Sequence, residues 1–341
     1  MGEAELRAIE LSRAWRDQEE STVKAKRLIG IVGVVALVVL IAGYFVVTRS
    51  RPPRTEVRIG MFSKAFSYAP LFVAKHFRWF EDHPELKGRK VAYRTFDDRP
   101  TISASLSADE LDLLFCAEIP AIVCRAQGDD LRIVKLSDTG VQRVLVRADL
   151  PVNSPADLRG KRVGVLQATS SHYGLLKILR DAGLSEKDVD IRYMTPAEAR
   201  TAFEAKQLDA WAVWAPFAEV QEVSGAGREI GGVGAWVHSI MAIPTSRLKH
   251  DKIILKASTE IIERGKQFVI QNTEQAQEIV AKEMGLKIEV VRKAWPKFTW
   301  DAQITDAVVD DFQQKADFLA DLDKTRQSRK VDVRKELMEL P

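Results

Sequence analysis

The stretch Asp157–Gly183, DLRGKRVGVLQATSSHYGLLKILRDAG, decides how the chain is read. It holds a turn at Arg159-Gly160, a short apolar strand at Arg162 to Leu166, and a small-polar run, Ala168-Thr169-Ser170-Ser171, that opens a helix at His172. A strand feeding Ser and Thr into a helix start gathers unpaired backbone N–H groups and hydroxyls at one point. Such a point either binds a small anionic or polar molecule or simply caps the helix, and the stretch alone leaves both open.

Downstream, the pattern repeats with a strand at Asp190 to Tyr193 and a helix opened by Thr195-Pro196-Ala197-Glu198, a capping signature with Pro inside the start. Upstream, Val57 to Met61 reads as a strand. Ser67-Tyr68-Ala69-Pro70 turns a loop into a helix, which Phe77, Trp79 and Phe80 close against the core. A strand follows at Val91 to Thr95, a helix at Thr101 to Ser107, a buried strand at Glu110 to Phe115, a helix at Ala121 to Ala126, and strands at Leu131 to Leu136 and Val141 to Arg147. Glu118 falls at a strand-to-helix turn. It is either a binding residue, as such turns collect in α/β folds, or a first-turn carboxylate favoured by the helix dipole. Pro216 stops the strand that carries Trp211 and Trp214, leaving Trp214 to face a crevice or the core. Gly225 to Gly234 reads as a loop, Trp236 to Ile243 crosses back, and Lys256 to Leu340 is helical throughout. Alternating strands and helices of this kind predict a mostly parallel α/β architecture.

With 341 residues, 46% apolar and 29% charged, the chain has the composition of a globular protein with room for two domains. A net charge of +3, without basic runs interleaved with aromatics, gives no nucleic-acid footprint. The two cysteines, Cys116 and Cys124, are either a disulfide or small buried hydrophobes. No CxxC, HExxH or Cys/His cluster supports a metal site.

Residues 1–27 read as a short solvated helix or tail. Leu28 to Val47, LIGIVGVVALVVLIAGYFVV, is 20 residues without a charge, enough to span a bilayer core at about 1.5 Å per residue. It lacks the short apolar core and small-residue exit of a cleavable signal, and so reads as an uncleaved anchor. Basic residues tie across it, Arg13, Arg16, Lys24, Lys26 and Arg27 against Arg49, Arg51, Arg54, Arg58 and Lys64. Residues 48–56, with Pro52-Pro53, form a linker.

Residues 56 to 340 resemble the periplasmic substrate-binding proteins of ABC importers for aliphatic sulfonates, taurine and nitrate. The resemblance rests on VRIGMFSKAFSYAPLFVAKHFRWFED, SADELDLLFCAEIPAIVCRAQGDDLRIV, SPADLRGKRVGVLQATSSHYGLLKILRDAGLSEKDVDI and AEARTAFEAKQLDAWAVWAPF in that order, the last two being the most specific. It implies an α/β, two-lobed type II binding-protein fold, here preceded by one transmembrane helix. Residues 57–138 plus 245–341 would form one lobe with the C-terminal helices, and 139–244 the other. Carried over, the ligand contacts are Ser63, Ser67, Tyr68, Cys116, Glu118, Thr169, Ser170, Ser171, His172 and Trp214. The Ser/Thr hydroxyls and amides would hold an anionic head, and Tyr68 and Trp214 would wall it.

The implied function is capture of a small polar or anionic solute in an interlobe cleft for an ABC permease and ATPase, without cofactor, from an inner-membrane anchor with the soluble domain outside. Three departures stand out: the spanning segment, Ala215 where many relatives carry an acid between Trp and Pro, and the carboxylate of Glu118. They open a second reading, an anchored sensor or scaffold docking to another membrane complex. The thiamine-pyrimidine synthases share the implied fold, but nothing here matches their cysteine-rich motif. His76 and His172 lack a Ser/Asp partner arranged for catalysis, so no enzyme is expected.

Overall fold

The computed structural model describes residues 55–63, 65–230, 235–322 and 329–339. The expected tail (1–27), the apolar span 28–47 and most of the linker lie outside them. The described residues form one compact unit.

The chain runs β1 (Glu56–Phe62), α1 (Ala69–His76), β2 (Lys90–Phe96), α2 (Arg99–Ser107), β3 (Leu113–Ala117), α3 (Glu118–Ala126) and β4 (Leu131–Val141). It continues with β5 (Val144–Arg147), β6 (Arg162–Val165), α4 (Ser170–Asp181), β7 (Asp190–Tyr193), α5 (Pro196–Glu204), β8 (Ala210–Ala212), α6 (Phe217–Val223) and β9 (Gly227–Ile230). It then returns through β10 (Trp236–Pro244) to α7 (Thr245–His250), α8 (Lys252–Gln271), α9 (Thr273–Met284), α10 (Ile288–Ala294), β11 (Phe298–Thr299) and α11 (Asp306–Leu322).

Two sheets result. The first has the order β11-β4-β10-β3-β1-β2, the second β7-β6-β8-β5-β9. Strand alternation explains why each sheet is covered on both faces. In β3, Leu113 and Phe115 enter one apolar cluster, while Leu114 and Cys116 enter another on the opposite face. In the second sheet, Val144 and Val146 of β5 face one cluster and Leu145 the other. The chain passes between sheets twice, at Val141-Gln142-Arg143 and between β9 and β10, and the Gln142 N–H donates to Ala235 O at 2.8 Å where the passages meet.

Several expectations are corrected. The sheets are mixed rather than mostly parallel: β4, β10 and β11 run antiparallel to their neighbours, as do β5, β8 and β9 along the β5 pairings. The buried strand expected at Glu110 to Phe115 starts only at Leu113, because Asp112 is spent holding Arg58, whose backbone N–H and Nε donate to it at 2.9 and 3.0 Å. Helix α3 begins at Glu118 rather than Ala121. The glycine-rich loop contains a strand, β9, where Gly227 earns its place: a Cβ there would lie 2.9 Å from Leu145 Cδ1. The C-terminal region is interrupted by β11 and by a π-helical turn at Val333–Leu337. Cys116 and Cys124 are both free and buried.

Candidate functional site

The organising stretch folds as its sequence dictates. Thr169 is the N-cap of α4, with extended backbone; its hydroxyl accepts from the His172 N–H at 3.3 Å and donates to Leu166 O at 2.7 Å. The helix therefore starts at Ser170, two residues before the expected His172. Just ahead, Ala168 sits at φ 57°, a left-handed conformation that strains an alanine. The turn is held by His172, whose Nδ1 accepts from the Ala168 N–H at 3.4 Å and whose Nε2 lies 3.2 Å from the Tyr193 hydroxyl. Burial lowers the His172 pKa to about 4, so the ring is neutral at ordinary pH.

The α4 start opens on a cavity of ≈ 70 Å³ between the sheets, enough for a small solute and not for a polymer. Ser67 and Tyr68 line it from ahead of α1, Ala117 and Pro120 from the α3 start, and Thr169, Ser170 and Ser171 from α4. Trp214 and Phe298 wall it, and the passage strands contribute Asp138, Gln142 and Ser239. Gly174 allows this approach, since a Cβ there would lie 2.4 Å from Gln142 Cγ.

The hydroxyls expected to grip a ligand are occupied. Ser170 Oγ donates to Glu118 Oε2 at 3.3 Å, and Ser171 Oγ donates to Gln142 Oε1 at 2.9 Å. Tyr68 donates to Phe62 O at 2.9 Å. What α4 still offers is backbone: as first-turn amides, the N–H groups of Ser170 and Ser171 have no intrahelical acceptor. Together with the helix dipole they suit an oxyanion.

Of the residues singled out in the sequence, Ser67, Tyr68, Thr169, Ser170, Ser171 and Trp214 converge on the cavity. Ser63, Cys116, Glu118 and His172 do not line it. Ser63 follows β1, donating its N–H to Phe96 O at 2.7 Å. Cys116 is buried in the apolar cluster below, where burial raises its pKa well above the ordinary thiol value. Glu118 is neutralised rather than exposed to a ligand. Its Oε1 accepts from Lys315 Nζ at 2.7 Å, both side chains being fully buried, and its Oε2 accepts from the His238 N–H at 3.0 Å and from Ser170. The carboxylate that would disfavour an anion thus carries its own counter-charge, and it ties α3 to α4 across the cleft.

A second tie closes the cavity's flank. Lys297, just before β11, donates to Glu219 at 2.8 Å, Glu222 at 3.2 Å and Glu229 at 2.7 Å, so an ammonium from the first sheet's side sits among three carboxylates of α6 and β9. Those carboxylates form the one His/Cys/Asp/Glu cluster of metal-binding spacing among the described residues, and Lys297 occupies its centre. Sequence reading missed Asp138, Gln142, Ser239 and Phe298. The signal available for Asp138 and Ser239 was their place on the two strands that carry the passages.

Comparisons with known proteins agree with this fold. The NMT1/THI5 like family model matches residues 65–276. The chain is 35% identical over 141 residues to the putative aliphatic sulfonates-binding protein of Escherichia coli K12, covering 41% of this chain and 44% of that protein. It is 31% identical over 196 residues to the protein of the same description from Bacillus subtilis 168, covering 56% and 58%. The alignments thus span about half the length of these curated relatives. Among solved structures, the alkanesulfonate-binding protein of Xanthomonas axonopodis pv. citri, bound to MOPS, matches with TM-score 0.72 at 23% identity, covering 85% of this chain and 100% of that one. The periplasmic aliphatic sulphonate binding protein of E. coli matches with TM-score 0.71 at 25% identity, covering 85% and 94%. These relatives are binding proteins rather than enzymes. The family model covers more than half of the chain, and the chain belongs to the NMT1/THI5-like family.

Proposed function

We propose that the chain is a solute-binding subunit that captures a small sulfonate-type anion in the cavity between its sheets and presents it to an ABC permease and ATPase. The observation that carries this reading is the α4 start. Two first-turn amides remain free for an oxyanion, while the hydroxyls of Thr169, Ser170 and Ser171 donate to Leu166 O, Glu118 and Gln142. Trp214 and Phe298 supply apolar wall for an alkyl group. The relatives' sulfonate-binding descriptions and the shared fold point the same way. Capture would work by closure: the Glu118–Ser170 and Lys297 ties join elements of the two sheets, so a solute that prefers the approached state would shift the equilibrium toward it.

A thermal-shift panel on the full chain in mild detergent, with methanesulfonate, ethanesulfonate, taurine, MOPS, nitrate and bicarbonate, tests the reading. A member at about 100 times its Kd should stabilise by roughly 2.7 kcal/mol, a rise of several degrees. Silence across the panel would sink it in favour of the anchored sensor or scaffold.

Residues 28–47 would anchor this subunit in the inner membrane with the binding unit outside, on the sequence reading of an apolar run of 20. Among the described residues no helix is long and apolar enough to cross a membrane, so the anchor rests on that run. The full chain should sediment with membranes after alkaline carbonate washing, and deletion of residues 28–47 should release it. Release of the intact chain by the wash would remove the anchor from the account.

A further inference from the structure

Lining the same cavity, on β4, is an acid with unfinished hydrogen bonding. Asp138 is almost wholly buried, and its Oδ2 has no hydrogen-bond partner among the described residues. Its other contacts come from its β10 neighbour Ser239, whose hydroxyl and backbone N–H both hydrogen-bond the carboxyl. Donors on that side stabilise the ionised form and leave the free oxygen as an acceptor. The buried acid nearest in role, Glu118, already has Lys315. Asp138 has no such ion pair among the described residues: Lys266 of α8 acts on it electrostatically, but its Nζ donates to Ala302 O at 2.5 Å. Leaving a buried acceptor unmet costs about 1–3 kcal/mol, more when it is charged.

We propose that Asp138 is the selectivity residue of this cavity: its free carboxyl oxygen receives an ammonium group of the solute, so the captured molecule is a zwitterion bearing an amine beside its oxyanion. This rests on the reading of the α4 start as the oxyanion site. One cavity then holds both halves of the recognition, backbone amides for the anion and a carboxylate for the cation, and Ala215, directly before Pro216, adds no acid of its own. A bare alkanesulfonate would satisfy the amides and leave Asp138 unmet.

The charge setting agrees. Burial pushes the Asp138 carboxyl well above the usual range, helped by Glu118 from α3 and opposed by Ser239 from β10 and Lys266 from α8; Tyr68 and Cys116, also near it, are held neutral by burial. An ammonium beside the carboxyl opposes that rise, so affinity for the zwitterion is expected to increase with pH.

Isothermal titration of the full chain in mild detergent compares taurine with ethanesulfonate, which differ only by the amine. Taurine is expected to bind about 10- to 150-fold more tightly, the worth of a charge-assisted hydrogen bond. Asp138→Asn, which keeps the shape, should erase that preference while leaving ethanesulfonate affinity near its wild-type value. If wild-type protein binds ethanesulfonate as tightly as taurine, or takes other anions of the panel but not taurine, the inference is overturned while the binding-protein reading stands. If no anion of the panel binds, that reading falls and the inference with it. The comparison of ligands on wild-type protein decides the matter even where Asp138→Asn does not fold.

Discussion

Lys315→Met is expected to cost about 3–5 kcal/mol of stability, a large part of what holds a domain of this size together. Lys315 is fully buried on α11 and reaches three acceptors: Glu118 Oε1 at 2.7 Å, Asp311 Oδ2 at 2.6 Å and Trp236 O at 2.8 Å. Removing it strands the Glu118 carboxylate away from water, because the hydrogen bonds from Ser170 and the His238 N–H do not cancel its charge. The attraction between Lys315 and its two acids outweighs the desolvation of its own ammonium, and its pKa stands raised accordingly. Adding Glu118→Gln to Lys315→Met should recover much of the loss, since a neutral amide tolerates burial and Asp311 keeps some exposure. Urea titrations of the wild type and the single and double variants measure both effects. A Lys315→Met protein within about 1 kcal/mol of wild type would mean that the pair is not what holds α3 and α11 together.

The second large effect concerns binding. Ser170 is the first residue of α4, a position where proline is tolerated because its missing N–H has no intrahelical partner. Thr169 before it is already extended, at φ −118° and ψ 168°, as a residue preceding proline prefers. Ser170→Pro therefore removes the amide proposed to meet the ligand while sparing the helix. It also removes the hydroxyl that reaches Glu118, a loss that Ser170→Ala reproduces alone.

Much of the fold was legible in the sequence because its signals are local. The Thr195-to-Glu198 capping box appears as written, with Thr195 N–H and Oγ1 both donating to Glu198 Oε2 at 2.8 Å. The β7 boundaries, Asp190 and Tyr193, also match. Where local pattern failed, a distant partner had intervened. Asp112 reads as part of an apolar strand until Arg58, 54 positions earlier, claims it. β11 pairs over only two residues, too short for periodicity to register. The site divided in the same way. The α4 start was visible as a Ser/Thr run offering amides and hydroxyls together, but the acceptors that occupy the Ser170 and Ser171 hydroxyls were not, because Glu118 and Gln142 lie 52 and 29 positions away. Glu118 looked like a bare carboxylate because Lys315 is 197 residues distant. Asp138 and Ser239 sit opposite each other only once β4 and β10 pair.

The most direct test of the central claim, that the backbone at the α4 start holds the solute's oxyanion, is calorimetric titration of the best sulfonate from the panel into wild type, Ser170→Ala and Ser170→Pro. Ser170→Ala is expected to bind within a few-fold of wild type, and Ser170→Pro, with a melting temperature matching that of Ser170→Ala, to lose about 10- to 150-fold, the worth of one hydrogen bond to a charged group. Equal affinity in Ser170→Pro and Ser170→Ala would contradict it and place the anion elsewhere.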